Sequence, residues 1–330
     1  MFETEPKQAE LPLASVVMTV YNGMPYVRAA VDSILSQDYG NWELIIVDDG
    51  STDSTPEYLE QISENNVKIV RQENAGQHIA ASLGINLAEG KYIARMDADD
   101  IAAPNRLSKQ VSFLETHPQV VLVGSQFKRM TDDTTSGLPS TLPCNPEDIH
   151  RDLLKNHHAI CNATTMFQRN LFYKLGGYWE HDIAEDWDFY LKAAETGDLA
   201  NIDEVLLDVR IHAQSINGRR MLEAQAFNEY ACELARRRAK KLPSITIEEF
   251  RNSDPRFRFP RKYAFQLDCT SISLYRKAVV NFQSGGLPLA VCQLMLAICC
   301  SPGRTVSRFV RFFRHKSSAA EVFLDGRRAR

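Results

Sequence analysis

The sequence predicts an α/β fold: a doubly wound, mostly parallel sheet with flanking helices, followed by a basic C-terminal helical annex. Three observations carry this. Apolar runs of four to seven residues alternate with helical patterns through the first 125 residues, which is βαβ punctuation. Beyond residue 218 the pattern becomes helical almost to the end. Charge divides at the same place, since residues 1–217 hold 16 Lys+Arg against 33 Asp+Glu and residues 218–330 hold 22 against 9. The boundary is therefore set near Asn217–Gly218. Residues 1–217 form an acidic α/β domain able to hold cations, and 218–330 a basic region that faces something anionic or simply carries solvated helix faces.

In chain order, Ser15–Val20 and Glu43–Val47 read as strands. Between them Val27, Ala30, Val31, Ile34 and Leu35 fall on one face of a helix. A helix opens at Ser54-Thr-Pro-Glu57, where capping-box spacing and an early proline both mark an N-terminus. Val67–Arg71 is the third strand, 78–88 a helix, Lys91–Arg95 the fourth strand, Pro104–Glu115 a helix and Val120–Gly124 the fifth strand. Right-handed crossovers between parallel strands give the doubly wound arrangement. Residues 126–150 hold Gly137, Pro139, Pro143 and Pro146 among Ser, Thr and Asp, and read as a long loop. Residues 158–167 and 203–211 read as strands flanking a helix at about 185–196.

The bulk properties fit this plan. A chain of 330 residues, 44% hydrophobic and 24% charged, is of ordinary globular composition. Seven cysteines with no Cys-x-x-Cys pair read as reduced, mostly buried thiols. The acidic start lacks the basic-then-apolar layout of a secretory signal, so a cytoplasmic location is expected. In the basic region, Leu222, Phe227, Tyr230 and Leu234 form an apolar stripe that suits a helix packed on the first domain. Leu287–Cys300 is apolar for about fourteen residues, short of the roughly 20 that a spanning helix needs, so it is a buried helix or an interfacial one. Arg304–Lys316 carries five Lys+Arg and no acid, with Val306, Phe309, Val310, Phe312 and Phe313 interleaved. That suits a helix on an anionic membrane, peripheral at the inner face of the plasma membrane; the alternative is a helix docked by its aromatic face. Nucleic acid is excluded as a partner, because the acidic first domain would repel phosphate backbones.

Three acid clusters follow strand-like or glycine-rich segments: Asp48-Asp49-Gly-Ser-Thr-Asp53, Asp97-Ala-Asp99-Asp100 and Glu185-Asp186. Strand C-termini in such sheets face the ligand crevice. Three carboxylates within four positions repel one another, which is reasonable where a divalent cation neutralises them, and Mg2+ or Mn2+ suits such a set. Each cluster also has a plain reading: a helix N-cap before Pro104, an Asx-type turn, and acids favouring the dipole at a helix start. Arg95, just before the second cluster, reads as a neutralising charge with no catalytic role.

Together these segments resemble a known family. Ser15-Val-Val-Met-Thr-Val-Tyr-Asn-Gly23, Ala30-Val-Asp-Ser-Ile-Leu-Ser-Gln37, Glu43-Leu-Ile-Ile-Val-Asp-Asp-Gly-Ser-Thr-Asp53, Tyr92-Ile-Ala-Arg-Met-Asp-Ala-Asp-Asp100, Gly176-Gly-Tyr178, Glu185-Asp-Trp-Asp188 and Arg210-Ile-His212 are similar, in order, to the inverting family 2 glycosyltransferases of GT-A fold. The resemblance covers about residues 13–217 and implies a metal-dependent glycosyltransferase of the hexosyltransferase type. Its donor would be a nucleotide sugar and its acceptor a saccharide or lipid-linked hydroxyl, in cell-surface polysaccharide or glycolipid synthesis. It further implies that Thr19, Tyr21 and Asp49 hold the base, which points to uracil or thymine and hence a UDP-sugar. Asn22 and Ala98 would join that site and Asp97 would lie near the ribose. Asp99 would bind Mn2+ or Mg2+ and Asp186 would be the general base. By their own chemistry His212 is a candidate for the metal or the diphosphate, a structural histidine at a strand end being the alternative, and Arg210 can pair with phosphate. Two positions depart from many relatives: Ala81-Ser82 stands where an Arg-Asn or Leu-Asn pair is common, and Asn162 where a histidine is. Acceptor contacts are expected from 126–150 and 178–184. A sugar nucleotidyltransferase would need a basic glycine-rich loop after the first strand, which Tyr21-Asn-Gly-Met24 is not. A catalytically silent binding module with the same fold stays open as an alternative.

Overall fold

The computed structural model describes residues 11–131, 134–136, 139–181, 183–210, 221–253 and 287–301, with positions 267, 270, 271, 274 and 278. The chain forms two compact units, residues 1–210 with 227–244 and residues 211–226 with 245–330. The boundary set near Asn217–Gly218 falls outside the described residues, as do His212 and Arg304–Lys316.

In the first unit, β1 (Ala14–Val20), β2 (Trp42–Asp48), β3 (Val67–Arg71) and β4 (Tyr92–Asp97) are parallel and ordered β3-β2-β1-β4. Helices α1 (Val27–Leu35), α2 (Thr55–Leu59), α3 (Gln77–Leu87) and α4 (Arg106–Thr116) connect and flank them. Beyond β4 the sheet becomes mixed and continues β8-β6-β9-β5, formed by Met166–Gln168, Val120–Thr131, Asp198–Arg210 and Ile101–Ala102 respectively. The short β7 (Thr134–Ser136) pairs with β6.

Strand periodicity sorts the core into two layers. Val16, Met18, Leu44, Ile46, Ala94 and Met96 point to the α1 and α4 side, against Val27, Ile34, Leu107 and Val111. Val17, Ile45, Val47, Ile93 and Phe167 point the other way, toward α3, α5 (Pro146–Leu154), α6 (Arg169–Lys174) and α7 (Glu185–Ala194). Because alternate residues are buried on both faces, these strands read as continuous apolar runs rather than as alternation. Helix α3 approaches the sheet closely at Gly84, where a Cβ would lie 2.5 Å from Val17 Cγ1. Helix α8 (Met221–Ala239) contributes Ala231, Cys232 and Ala235 to the same layer as α7, and Arg236 Nη2 donates to the Leu154 carbonyl at 2.7 Å.

Four expectations are corrected. Residues 126–150 are not one loop: β6 runs on to Thr131, β7 follows, and α5 starts at Pro146. Strand β6 continues because β9 pairs along it, from Val120–Asp198 to Met130–Arg210, with register shifts between Val120 and Leu122 and on either side of Gln126. The Gln126 side chain then holds the return segment, with Oε1 accepting from Ser140 Oγ and the Leu142 N–H. Helix α5 has a side-chain cap, Asn145 Oδ1 accepting from the Asp148 N–H. Of residues 158–167 only the end is strand, since Asn162–Thr164 is a 3-10 turn. The Ser54 box is not formed: the Ser54 side chain makes no cap hydrogen bond, and Asp53 Oδ1 accepts the Thr55 N–H at 3.0 Å. The thiols are also less buried than expected: of the six described free cysteines, Cys232 is buried while Cys292 and Cys299 are exposed.

In the second unit, α9 (Ile247–Ser253) opens with a reciprocal capping box, the Thr246 N–H to Glu249 Oε2 and the Glu249 N–H to Thr246 Oγ1. Helix α10 (Leu287–Cys300) buries Ala290 and Ala297. No helix among the described residues is long and apolar enough to cross a membrane.

Candidate active site

Parallel register brings the first two acid clusters together. Strand β1 lies between β2 and β4, with Val20 opposite Asp48 and Thr19 opposite Asp97. Residues that follow three different strands therefore meet at one end of the sheet. Thr19 is buried there, while the Tyr21 ring just beyond it is 53% exposed and open to a stacking partner. Asn22 takes a left-handed backbone (φ 52) and its Oδ1 accepts from the N–H groups of Thr52 and Asp53. It thus ties the loop after β1 to the loop after β2.

Asp49 has the most demanding surroundings of the first cluster. It is nearly buried, and its Oδ1 accepts from Gln72 Nε2 at 2.7 Å and the Ala75 N–H at 2.9 Å, while Oδ2 accepts from the Gly76 N–H at 2.9 Å. The loop before α3 is wrapped around this carboxylate. Gly50 must be glycine for the loop to close, because its φ is +78 and a Cβ would sit 2.8 Å from the Asn74 nitrogen.

The second cluster brings carboxylate oxygens of Asp97, Asp99 and Asp100 within 4.8 Å of one another. Burial, then the Asp99 charge, pushes Asp97 up to about 6, and burial with the Asp97 and Asp99 charges raises Asp100 well above the usual carboxylate range. Asp100 Oδ1 accepts the Arg210 N–H at 2.8 Å, whereas its buried Oδ2 has no hydrogen-bond partner. Three mutually repelling hard oxygen donors, one of them unmet, fit a divalent cation of the Mg2+ or Mn2+ type. Arg210, at the end of β9, clasps the loop by donating Nε to the Asp99 carbonyl at 2.9 Å, with its guanidinium 4.3 Å over the Tyr26 ring. Ala98 is buried between the acids.

Asp186 lies in the first turn of α7, which starts from Ala184 in a left-handed conformation (φ 57). Solvent reaches part of it, yet its surroundings raise it to about 7, by desolvation first and the Glu185 charge second. Its charge also raises Asp97, which puts the third cluster within electrostatic reach of the second. Gly176 and Gly177 (φ +82 and +78) let the chain turn out of α6 toward this helix. Trp179 Nε1 donates to the Ile183 carbonyl, closing the intervening loop. Asn162 accepts from the Tyr190 hydroxyl of α7 at 3.0 Å, so at this departure position the side chain braces the helix that carries Asp186.

Several residues here escape a reading of the sequence. Gln72, Ala75 and Gly76 cradle Asp49, and Gln77 Nε2 reaches Asp97 at 3.4 Å. The Asn74-Ala75-Gly76 run before a helix was the available signal. Arg95, on the same face of β4 as Ile93 and 1% exposed, has Nε and Nη1 without hydrogen-bond partners. Its charge lowers Asp97, Tyr178 and Asp186.

Comparison with known proteins agrees with this geometry. Residues 15–176 match the model of glycosyl transferase family 2. A putative glycosyltransferase, EpsE, of Bacillus subtilis is 35% identical over 208 residues, 60% of this chain and 73% of that protein. An uncharacterized glycosyltransferase of Haemophilus influenzae is 33% identical over 214 residues, 61% of this chain and 66% of that one. The amylovoran biosynthesis glycosyltransferase AmsE of Erwinia amylovora is 27% identical over 212 residues, 62% and 79% respectively. The matched part thus spans about two thirds of the length of these relatives or somewhat more. Among solved structures, S. aureus TarS 1–349 in complex with UDP-GlcNAc superposes with a TM-score of 0.55 at 16% identity, over 86% of this chain and 90% of that one. The mannosyltransferase PcManGT from Pyrobaculum calidifontis, in complex with GDP-Man and Mn2+, gives 0.53 at 18% identity, over 94% and 82%. These structural likenesses speak for the fold, which is of the GT-A type. With strand-end acids, a mixed α/β sheet and relatives of this kind, the chain belongs to glycosyl transferase family 2.

Proposed function

We propose that the chain transfers a sugar, with inversion, from a UDP-sugar to an acceptor hydroxyl during cell-surface polysaccharide or glycolipid synthesis, residues 1–217 forming the catalytic domain. The observation that carries this reading is the meeting of the Asp97-Asp99-Asp100 cluster with the Asp49 loop at one sheet end, with Asp186 in electrostatic reach. The exposed Tyr21 ring stacks on the base, and Thr19, Asn22 and Ala98 line the same pocket. Three of the roughly four lone-pair positions of the Asp49 carboxylate are used within the protein, which leaves one for the imide N–H of uracil. Asp97 faces the ribose and Asp99, with Asp97 and Asp100 beside it, holds Mn2+ or Mg2+; His212 is a further candidate ligand. When bound, the cation offsets the negative charge that builds on the departing nucleoside diphosphate. Asp186 takes the proton of the acceptor hydroxyl. A base titrating near neutrality suits that role, because it is ionised at working pH yet basic enough to accept a proton. The UDP-GlcNAc and UDP complexes of the fold neighbour TarS and the polysaccharide role in the name of AmsE support the donor and pathway class.

The test is calorimetric titration of nucleotide sugars with and without Mn2+, followed by turnover. Asp99→Ala should lose cation-dependent donor binding, while Asp186→Asn should bind donor normally and turn over about 10²–10⁴-fold more slowly. Unchanged transfer in excess chelator would remove the metal from the reading. A product with the anomeric configuration of the donor would remove inversion.

A further inference from the structure

Helix α10 has fourteen residues and no charged side chain. One side is held inside the second unit, where Ala290 and Ala297 are buried and Ser271 Oγ donates to the Ala297 carbonyl at 2.9 Å. The rest is open: Leu287, Leu289, Val291, Met295 and Leu296 are 49–59% exposed, and Cys292 and Cys299 are exposed between them. At about 100° per residue these seven positions cover roughly 200° of the helix circumference as one unbroken apolar surface. A helix face turned to water would ordinarily carry Lys and Glu there. A patch of this kind marks an interaction site.

We infer that this face of α10 is a docking surface for an anionic lipid bilayer. The helix is about 21 Å long, too short to cross the roughly 30 Å hydrocarbon core, so it lies in the plane of the interface with its open face among the acyl chains. Charge selects the occupant. Arg304, Arg308, Arg311, Arg314 and Lys316 follow within sixteen residues of Cys300, and the 304–316 segment contains no acid. Anionic headgroups attract such a segment. A second copy of this chain would instead bring two sets of five cations together, which disfavours a dimer across this face. The inference extends the lipid-linked acceptor reading above, yet it stands on its own observations, and loss of vesicle binding would leave donor binding untouched.

The experiment is co-sedimentation of the full chain with vesicles of phosphatidylcholine alone and of phosphatidylcholine with phosphatidylglycerol, at low and high salt. Recovery with the anionic vesicles at low salt, reduced by high salt, is expected. The double substitution Leu289→Glu with Met295→Glu should weaken binding at least tenfold, and Arg308→Gln with Arg311→Gln and Arg314→Gln about a hundredfold. Both variants replace residues on the open face or in the basic segment, and melting curves with UDP-sugar binding check that they stay folded. As a second measurement on unsubstituted α10, an environment-sensitive fluorophore on Cys292 should shift to the blue on anionic vesicles. Full recovery of the wild type in the supernatant with both vesicle types would overturn the proposal. So would vesicle binding that survives the double glutamate substitution. A lipid-free dimer that the double glutamate substitution disperses would assign the face to a second copy instead.

Discussion

Asp49→Asn separates two jobs that one carboxylate performs. In the wild type Asp49 holds the Gln72 amide and the Ala75 and Gly76 N–H groups at 2.7–2.9 Å, and it is almost wholly buried. Asparagine keeps one oxygen, which serves Gln72 and Ala75 as a neutral rather than a charged acceptor. Its NH2 then faces the Gly76 N–H, donor against donor. The lost charge-assisted bond is worth about 1.5–3 kcal/mol and an unmet N–H costs about 1–3 kcal/mol. Partial relaxation of the 72–76 loop leaves a net destabilisation of about 2–4 kcal/mol. For a domain of this size that lowers Tm by roughly 4–16 °C, to be read from thermal melts without ligand. The second readout is base preference, measured calorimetrically well below the melt. An Asn NH2 can donate to cytosine N3 but not to the uracil imide, so the ratio of UDP to CDP affinity should fall by at least about tenfold. An unchanged Tm would refute the cradle argument. A lowered Tm with an unchanged UDP-to-CDP ratio would show that Asp49 builds the loop and does not read the base.

Two further outcomes follow from the charges around Asp186. Because burial and Glu185 raise Asp186 to about 7 and the base must be ionised to act, kcat/KM should climb about tenfold per pH unit below neutrality and level off above it; a flat profile between pH 5 and 8 would argue against Asp186 as the base. Arg95→Met should lower Tm at neutral pH, since it removes the cation and leaves the buried carboxylates around it uncompensated. Because the Arg95 charge lowers Asp186, its removal should move the profile to higher pH and lower the rate near neutrality, with Arg95→Lys restoring part of it; a variant that loses stability and keeps the wild-type profile would make Arg95 a packing residue only.

How far the sequence carries can be read from particular residues. Strands buried on both faces announce themselves: Ser15–Val20 and Glu43–Val47 fall within β1 and β2, each short by one residue at one end or both. The miss at 126–150 has a physical cause: the polar half of β6 is made a strand by pairing with β9, some 80 residues on, and Gln126 organises its return through Ser140 and Leu142. No local window contains those partners. The site divides in the same way. Carboxylate type and spacing at 97–100 are local and were visible, and so was the acid pair at 185–186. What sets the state of those carboxylates is remote. Asp49 is held from 23 to 27 residues away, Asp100 receives its N–H from Arg210, and Asp186 is raised by the packing around α7. Arg95 is the sharpest case, because in sequence it is one more cation beside an acidic motif. The structure buries it with two donor atoms unmatched, at a position where its charge acts on both the 97–100 cluster and Asp186. Its two unmet donor atoms cost stability, while its charge offsets the negative charge of the acids around it. What the guanidinium does at this position is therefore read from the protonation of Asp97 and Asp186, which it favours in the ionised form, and the Met substitution reports it through the pH profile rather than through Tm alone.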